Sequence, residues 1–149
     1  GHVAHGTIVS DSGLPLAKRL CQLYLGLDEV LGQWQPIEAA VEETFVNKNP
    51  ASTLKLGQAR GVLLLAPAIA DIPVFEYTPN LIKKSIVGTG HAHKEQVAVM
   101  VSTLLPTAGA VKDDAADALA VAICHAHLRR NQQIISQMER KQSLGRMRP

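Results

Sequence analysis

Apolar positions recur along the chain in two rhythms, one near 3.6 residues and one near two, and together they predict helices alternating with short strands. Leu16, Leu20, Leu23, Tyr24, Leu27, Val30 and Leu31 form one stripe, with Lys18, Arg19, Gln22 and Glu29 off it. That pattern predicts an amphipathic helix over about 14–33. Before it, Val3 to Val9 reads as a short strand closed by the Ser-Asp-Ser-Gly turn at 10–13. After Pro36, the stretch 37–43 (Ile-Glu-Ala-Ala-Val-Glu-Glu) reads as a second strand. Asn47-Lys48-Asn49-Pro50 is a loop, and Ser52 is expected to cap a helix running to about Ala66. Pro73 to Tyr77, β-branched and aromatic, is a further strand. Pro79 opens a brief helix that stops before Gly88-Thr89-Gly90. Residues 94–105 and 114–130 then read as helices, with a loop from Pro106 to Val111 between them.

Strands alternating with helices predict an α/β domain over 1–130 whose central strands are covered on both faces. In such sheets chemistry gathers at the carboxyl ends of strands, and Glu42 falls at one. Composition narrows the class. The 149 residues are 46% apolar and 19% charged, which excludes intrinsic disorder. The longest apolar run, Val62 to Ala70, is broken by Pro67 and is too short to span a bilayer, so no membrane association is expected. The chain opens on no secretory pattern, and Cys21 and Cys124 build no disulfide framework. A cytoplasmic protein is the expectation. Residues 125–149 hold six basic side chains against the single acid Glu139. A basic tail over 131–149 is compatible with nucleic-acid contact and equally with a solubilising end.

Three groups of residues carry candidate chemistry. Asp114 and Asp117, three apart at a helix start, project to one side. If that helix end meets the strand end bearing Glu42, the three carboxylates form a hard-oxygen site suited to Mg²⁺ or Mn²⁺ and to phosphodiester hydrolysis. The plainer account is that acids in a first helical turn answer the helix dipole. Next, Phe45, Lys48, Lys55 and Arg60, with Lys83, Lys84 and Lys94 around the glycine-containing loop, are candidates for DNA contact through phosphates, and Phe45 for stacking on a base. Ordinary surface charge, and a core place for Phe45, explain them as well. Last, His91, His93, His125, His127 and Cys124 are metal-ligating types. Zinc needs four convergent ligands, and residues two apart on a helix do not share a face.

Four stretches, AAVEETFVNKNPASTLKLGQARG (39–61), PVFEYTPNLIKKSIVGTG (73–90), HKEQVAVMVSTLL (93–105) and DDAADALAVAICHAH (113–127), resemble the RuvC family of Holliday junction resolvases in order and spacing. The resemblance covers most of residues 1–127. It implies an RNase H-like fold, a homodimer, and a divalent-metal endonuclease cutting four-way DNA junctions in recombination and repair beside the RuvA and RuvB branch-migration proteins. On that resemblance, Glu42, Asp114 and Asp117 match the family's metal-binding acids. Lys83 and Lys94 match positions near the scissile phosphate, and Phe45 matches the junction-probing aromatic. Family members open with a strand bearing an Ile-Asp-Pro-Gly motif. This sequence begins at Gly1-His2-Val3, where the family's third strand is expected, so the first two strands and one metal-binding aspartate are expected to be missing. A catalytically impaired junction-binding module is therefore an alternative, and an RNase H-like nuclease acting on RNA is a third. The leucine-rich 52–66 helix is expected at the dimer interface.

Overall fold

A computed structural model describes residues 1–43, 50–111 and 113–146, with residue 50 and residues 131–146 by backbone alone. The elements run α1 (Leu16–Trp34), β1 (Ala39–Glu42), α2 (Pro50–Ile69), β2 (Val74–Tyr77), α3 (Pro79–Val87), α4 (Lys94–Leu104), a 3₁₀ turn (Pro106–Ala108) and α5 (Asp113–Arg146). Among the described residues the sheet has two strands, β1 and β2, paired in parallel with Ala39 opposite Val74 and Glu42 opposite Tyr77.

Local chemistry explains most boundaries. α1 ends where Gln35 turns left-handed and returns its N–H to the Leu31 carbonyl. α2 begins at Pro50, so Ser52 lies inside its first turn instead of capping it. Proline suits that first position because its missing N–H would have no helical acceptor there. Thr78 caps α3 by accepting from the Leu81 N–H at 3.3 Å, and Gly88, at a φ of 86°, closes that helix. A side chain at Gly88 would carry the cost of the left-handed conformation.

Side chains alternate across the two strands, and each sheet face meets a different helix. Glu76 points to α2, where it pairs with Arg60. Phe75 and Tyr77 point the other way, to His125 of α5. The sheet is thus covered on both faces, as the α/β reading expects. Helices α3, α4 and α5 close around the core, which includes Ile82, Ile86, Val97, Val101, Leu119 and Cys124. Each large aliphatic side chain buried there contributes roughly 1.5–3 kcal/mol.

Two expectations need correction. Val3 to Val9 forms no strand; Val3 and Val9 are 76% and 81% exposed. The segment lies on α1 instead. Ile8 packs so closely on Gly26 that an added Cβ would sit 2.6 Å from it, the Gln22 side chain accepts from the Asp11 N–H at 2.9 Å, and the Arg19 Nε donates to the Ser10 hydroxyl. The last helix does not stop near Arg130 but continues to Arg146. The Gln, Met, Glu, Arg and Lys that dominate this stretch of sequence have high intrinsic helix propensity. Among the described residues no helix is long and apolar enough to cross a membrane.

Ile86, 6% exposed, tests this packing. Ile86→Ala is expected to lower the unfolding free energy by about 2–5 kcal/mol in urea denaturation. A loss under about 1 kcal/mol would mean that the α3–α5 contact is not core.

Candidate nuclease site

The carboxyl end of β1 delivers Glu42 to a cavity of about 240 Å³ lined also by Lys83, Lys94, Asp117, Ile82 and Val97. Each charged group comes from a different element: β1, α3, α4 and α5. Lys94, the first residue of α4, forms an ion pair with Asp117 at 3.1 Å. Beyond that pair lies a second cavity of about 360 Å³, lined by Asp113, Glu95 and Val111 along with the shared Lys94 and Asp117.

Electrostatics make this a strained gathering of acids around one ammonium. Desolvation pushes the Glu42 carboxyl above the usual range, and the neighbouring Asp117 charge pushes it further. Lys83 and Lys94 oppose both effects. Lys94 is itself held more firmly protonated, first by its hydrogen bond to Asp117, then by the charges of Asp117, Asp113 and Asp114. Two carboxylates that repel across a small cavity are a donor set for a hard divalent cation, which would relieve the repulsion. The residues present therefore fit such an ion chemically. In this arrangement, no three His, Cys, Asp or Glu side chains among the described residues stand as a ready metal cage. Asp114 is exposed at the start of α5 and lines neither cavity.

The remaining candidates divide clearly. Lys83 lines the acidic cavity; Lys84, one residue on, is exposed and does not. Lys55 is exposed on α2. Arg60 is engaged with Glu76 under the sheet. Phe45 and Lys48 lie outside the described residues. The histidines have structural engagements. The His93 N–H donates to the Gln96 side chain at 2.8 Å, opening α4, and His127 Nδ1 lies 3.3 Å from the Ser85 hydroxyl. Cys124 is fully buried, and burial pushes its thiol up.

Sequence reasoning missed one cluster. His125 bridges Tyr77, at 2.7 Å through Nδ1, and Glu38, at 2.8 Å through Nε2. Arg129 grips the same Glu38 with two nitrogens and stacks over Phe75, its guanidinium 5.4 Å from the ring centroid. The hydrogen bond from His125, reinforced by Arg129, holds the Glu38 carboxyl below the usual range. The available signal was periodicity: Glu38 lies four residues before Glu42, while Asp117, His125 and Arg129 recur at helical spacing.

An α/β domain whose last helix brings an aspartate to an acidic strand end, ringed by lysines, has the architecture of an RNase H-like nuclease. The chain belongs to the RuvC family of junction-resolving endodeoxyribonucleases: residues 1–125 match the family described as crossover junction endodeoxyribonuclease RuvC. The crossover junction endodeoxyribonuclease RuvC of Rhodospirillum rubrum is 62% identical over 129 residues, covering 87% of this chain and 76% of the relative. That of Paramagnetospirillum magneticum is 63% identical over 132 residues, covering 89% and 80%. Thermus thermophilus RuvC superposes with a TM-score of 0.77 at 36% identity, covering 87% of this chain and 79% of that one. A second structure, of T. thermophilus RuvC in complex with Holliday junction substrate, superposes equally well at 35% identity, covering 84% and 76%.

The raised Glu42 pKa gives a signed expectation. Folding favours the neutral carboxyl, so Glu42 costs stability as pH rises through its midpoint, and metal must displace its proton at lower pH. Carboxyl-carbon NMR should find that midpoint above 4.5, lowered by added Mg²⁺ and raised further in Lys94→Met. A midpoint at or below the ordinary value would mean that Glu42 is neither desolvated in its cavity nor close to the Asp117 charge.

Proposed function

We propose that this chain cuts four-way DNA junctions symmetrically, with Glu42 and Asp117 as the principal ligands of Mg²⁺ and Asp114 completing the acidic set. The observation that carries the reading is the shared cavity: Glu42 and Asp117 line it together with Lys83 and Lys94, in a chain of a family of divalent-metal nucleases. A bound divalent ion supplies polarisation of the phosphate and acidification of water. The protein's part follows from its charges. Glu42 and Asp117 would hold the ion from two elements, and Lys83, lining the same cavity, would offset charge on a phosphate oxygen. Lys94, which lines the same cavity and pairs with Asp117, would be a second such cation. Mn²⁺ serves the same hard-oxygen set. Lys55 and Lys84, with Phe45 and Lys48, extend the DNA-contacting surface in this proposal, and Arg60, taken up by Glu76, leaves it. RuvA and RuvB are the implied partners, and the cytoplasm is the place of action.

Cleavage of a labelled four-way junction in Mg²⁺ tests the assignment. Glu42→Gln and Asp117→Asn are expected to lose about 10²–10³-fold in rate, and Asp114→Asn to show whether that residue joins them. Variants at Glu42 and Asp117 that cut as well as their parent would overturn the ligand assignment. Junction binding by the parent without metal-dependent cutting would favour the non-catalytic module. Preference for the junction over linear duplex, compared at one salt concentration, would exclude a general nucleic-acid binder.

We also propose a homodimer, because two symmetric cuts require two sites related by a dyad. α2 presents the face: Leu54, Leu65 and Ile69, close together around the helix, are each at least half exposed, a patch of apolar surface that marks a contact site. Sedimentation is expected to show a dimer at micromolar concentration, and Leu65→Glu a shift to monomer. A parent that remains monomeric would overturn the assignment.

A further inference from the structure

Resting on the metal-ligand reading of Glu42 and Asp117, we propose that His125 is a positioning residue for the acidic site, bridging Tyr77 and Glu38 to fix where Asp117 arrives beside Glu42. The geometry begins with the strand. Glu38 lies one residue before β1 and four before Glu42, and extended backbone at about 3.3 Å per residue separates the two by roughly 13 Å. On α5, Asp117 lies eight residues before His125, roughly 12 Å at about 1.5 Å per residue. The two intervals match. α5 therefore runs antiparallel to β1, with Glu42 against Asp117 at one end and Glu38 against His125 at the other.

The bridge has directional chemistry. The Glu38 carboxyl is held ionised and can only accept, so His125 Nε2 carries a proton and donates to it at 2.8 Å. Burial pushes the Tyr77 hydroxyl pKa up, keeping it protonated, and Tyr77 is the 2.7 Å partner of Nδ1. One imidazole thus ties α5 to β2 and to the residue that leads into β1, and Tyr77 is the residue opposite Glu42 in the strand register. Arg129, one turn further along, holds Glu38 from the same helix. The side chains of His125 and Glu38 are 13% and 21% exposed, so water offers little replacement for the lost bonds. Between the two ends, α5 presents Ala120 and Val121, apolar side chains that line the Glu42 cavity and can make no hydrogen bond to fix its register on β1. A smooth seam of this kind resists separation but not sliding, and the directional bonds at the far end set the register.

Mn²⁺ uptake by the intact chain, followed by loss of the free-ion electron paramagnetic resonance signal, tests the inference. Tyr77→Phe removes one hydroxyl and keeps the ring, His125→Gln keeps a donor for Glu38, and His125→Ala removes both bonds. The expected result is Mn²⁺ binding weakened about tenfold in His125→Ala and less in the other two, with thermal melts run on each. Glu42→Gln is expected to abolish binding. If Glu42→Gln binds like the parent, the ligand reading fails. If it abolishes binding while the Tyr77 and His125 variants titrate like the parent, the positioning role is overturned, even where they melt earlier. Should His125→Ala not fold, the Tyr77→Phe titration decides between these outcomes. Should the parent take up no Mn²⁺, crystal structures of the parent and Tyr77→Phe decide it: a changed Glu42–Asp117 separation supports the role, and an unchanged one overturns it.

Discussion

The docking of α5 along the β1–β2 face is the constraint on which the rest depends. Neither strand carries the site alone, since β1 contributes only Glu42 and β2 contributes no cavity residue. Ala40 of β1 packs against the core that α5 enters with the small and β-branched Ala120 and Val121, which let helix and sheet approach closely. Larger side chains here would push the helix away and part the acids. α3 and α4 then pack on the same helix and bring the two lysines in from opposite sides. Function at one end of the seam is thus inseparable from packing along it.

Much of this was legible in the sequence because it is local. The stripe from Leu16 to Leu31 specified α1 to within two residues at either end, and Pro79 and Gly88 marked the limits of α3 through their own backbone preferences. The β1 strand and the placement of Glu42 at its carboxyl end followed from the flanking Pro36 and the apolar centre of that segment. The misplaced features have a common physical origin. A strand at 3–9 requires a partner to pair with, and alternation of side chains cannot reveal whether one is present. The same holds for Arg60, whose engagement with Glu76 depends on two elements meeting across the sheet.

The acidic site shows the same division. Spacing put Asp114 and Asp117 on one side of a helix, yet only Asp117 lines the Glu42 cavity, because a turn of helix separates residues that are neighbours in the pattern. The role of Lys94 follows from tertiary placement as well: its position at the start of α4 says nothing of the carboxylates it meets. Glu38, His125 and Arg129 looked like ordinary polar residues of a strand and a helix. Their chemistry emerges only once the two elements are superposed.

The Lys94–Asp117 pair is also a partition. Two hollows lie on either side of it, one with Glu42 and one with Asp113, and the side chains forming the wall are half exposed. A wall of methyl groups would keep the chambers apart under any ionic conditions. One made of opposite charges loosens as soon as another ion competes for either member. The separation of the two hollows is therefore set by the ionic surroundings as well as by the fold.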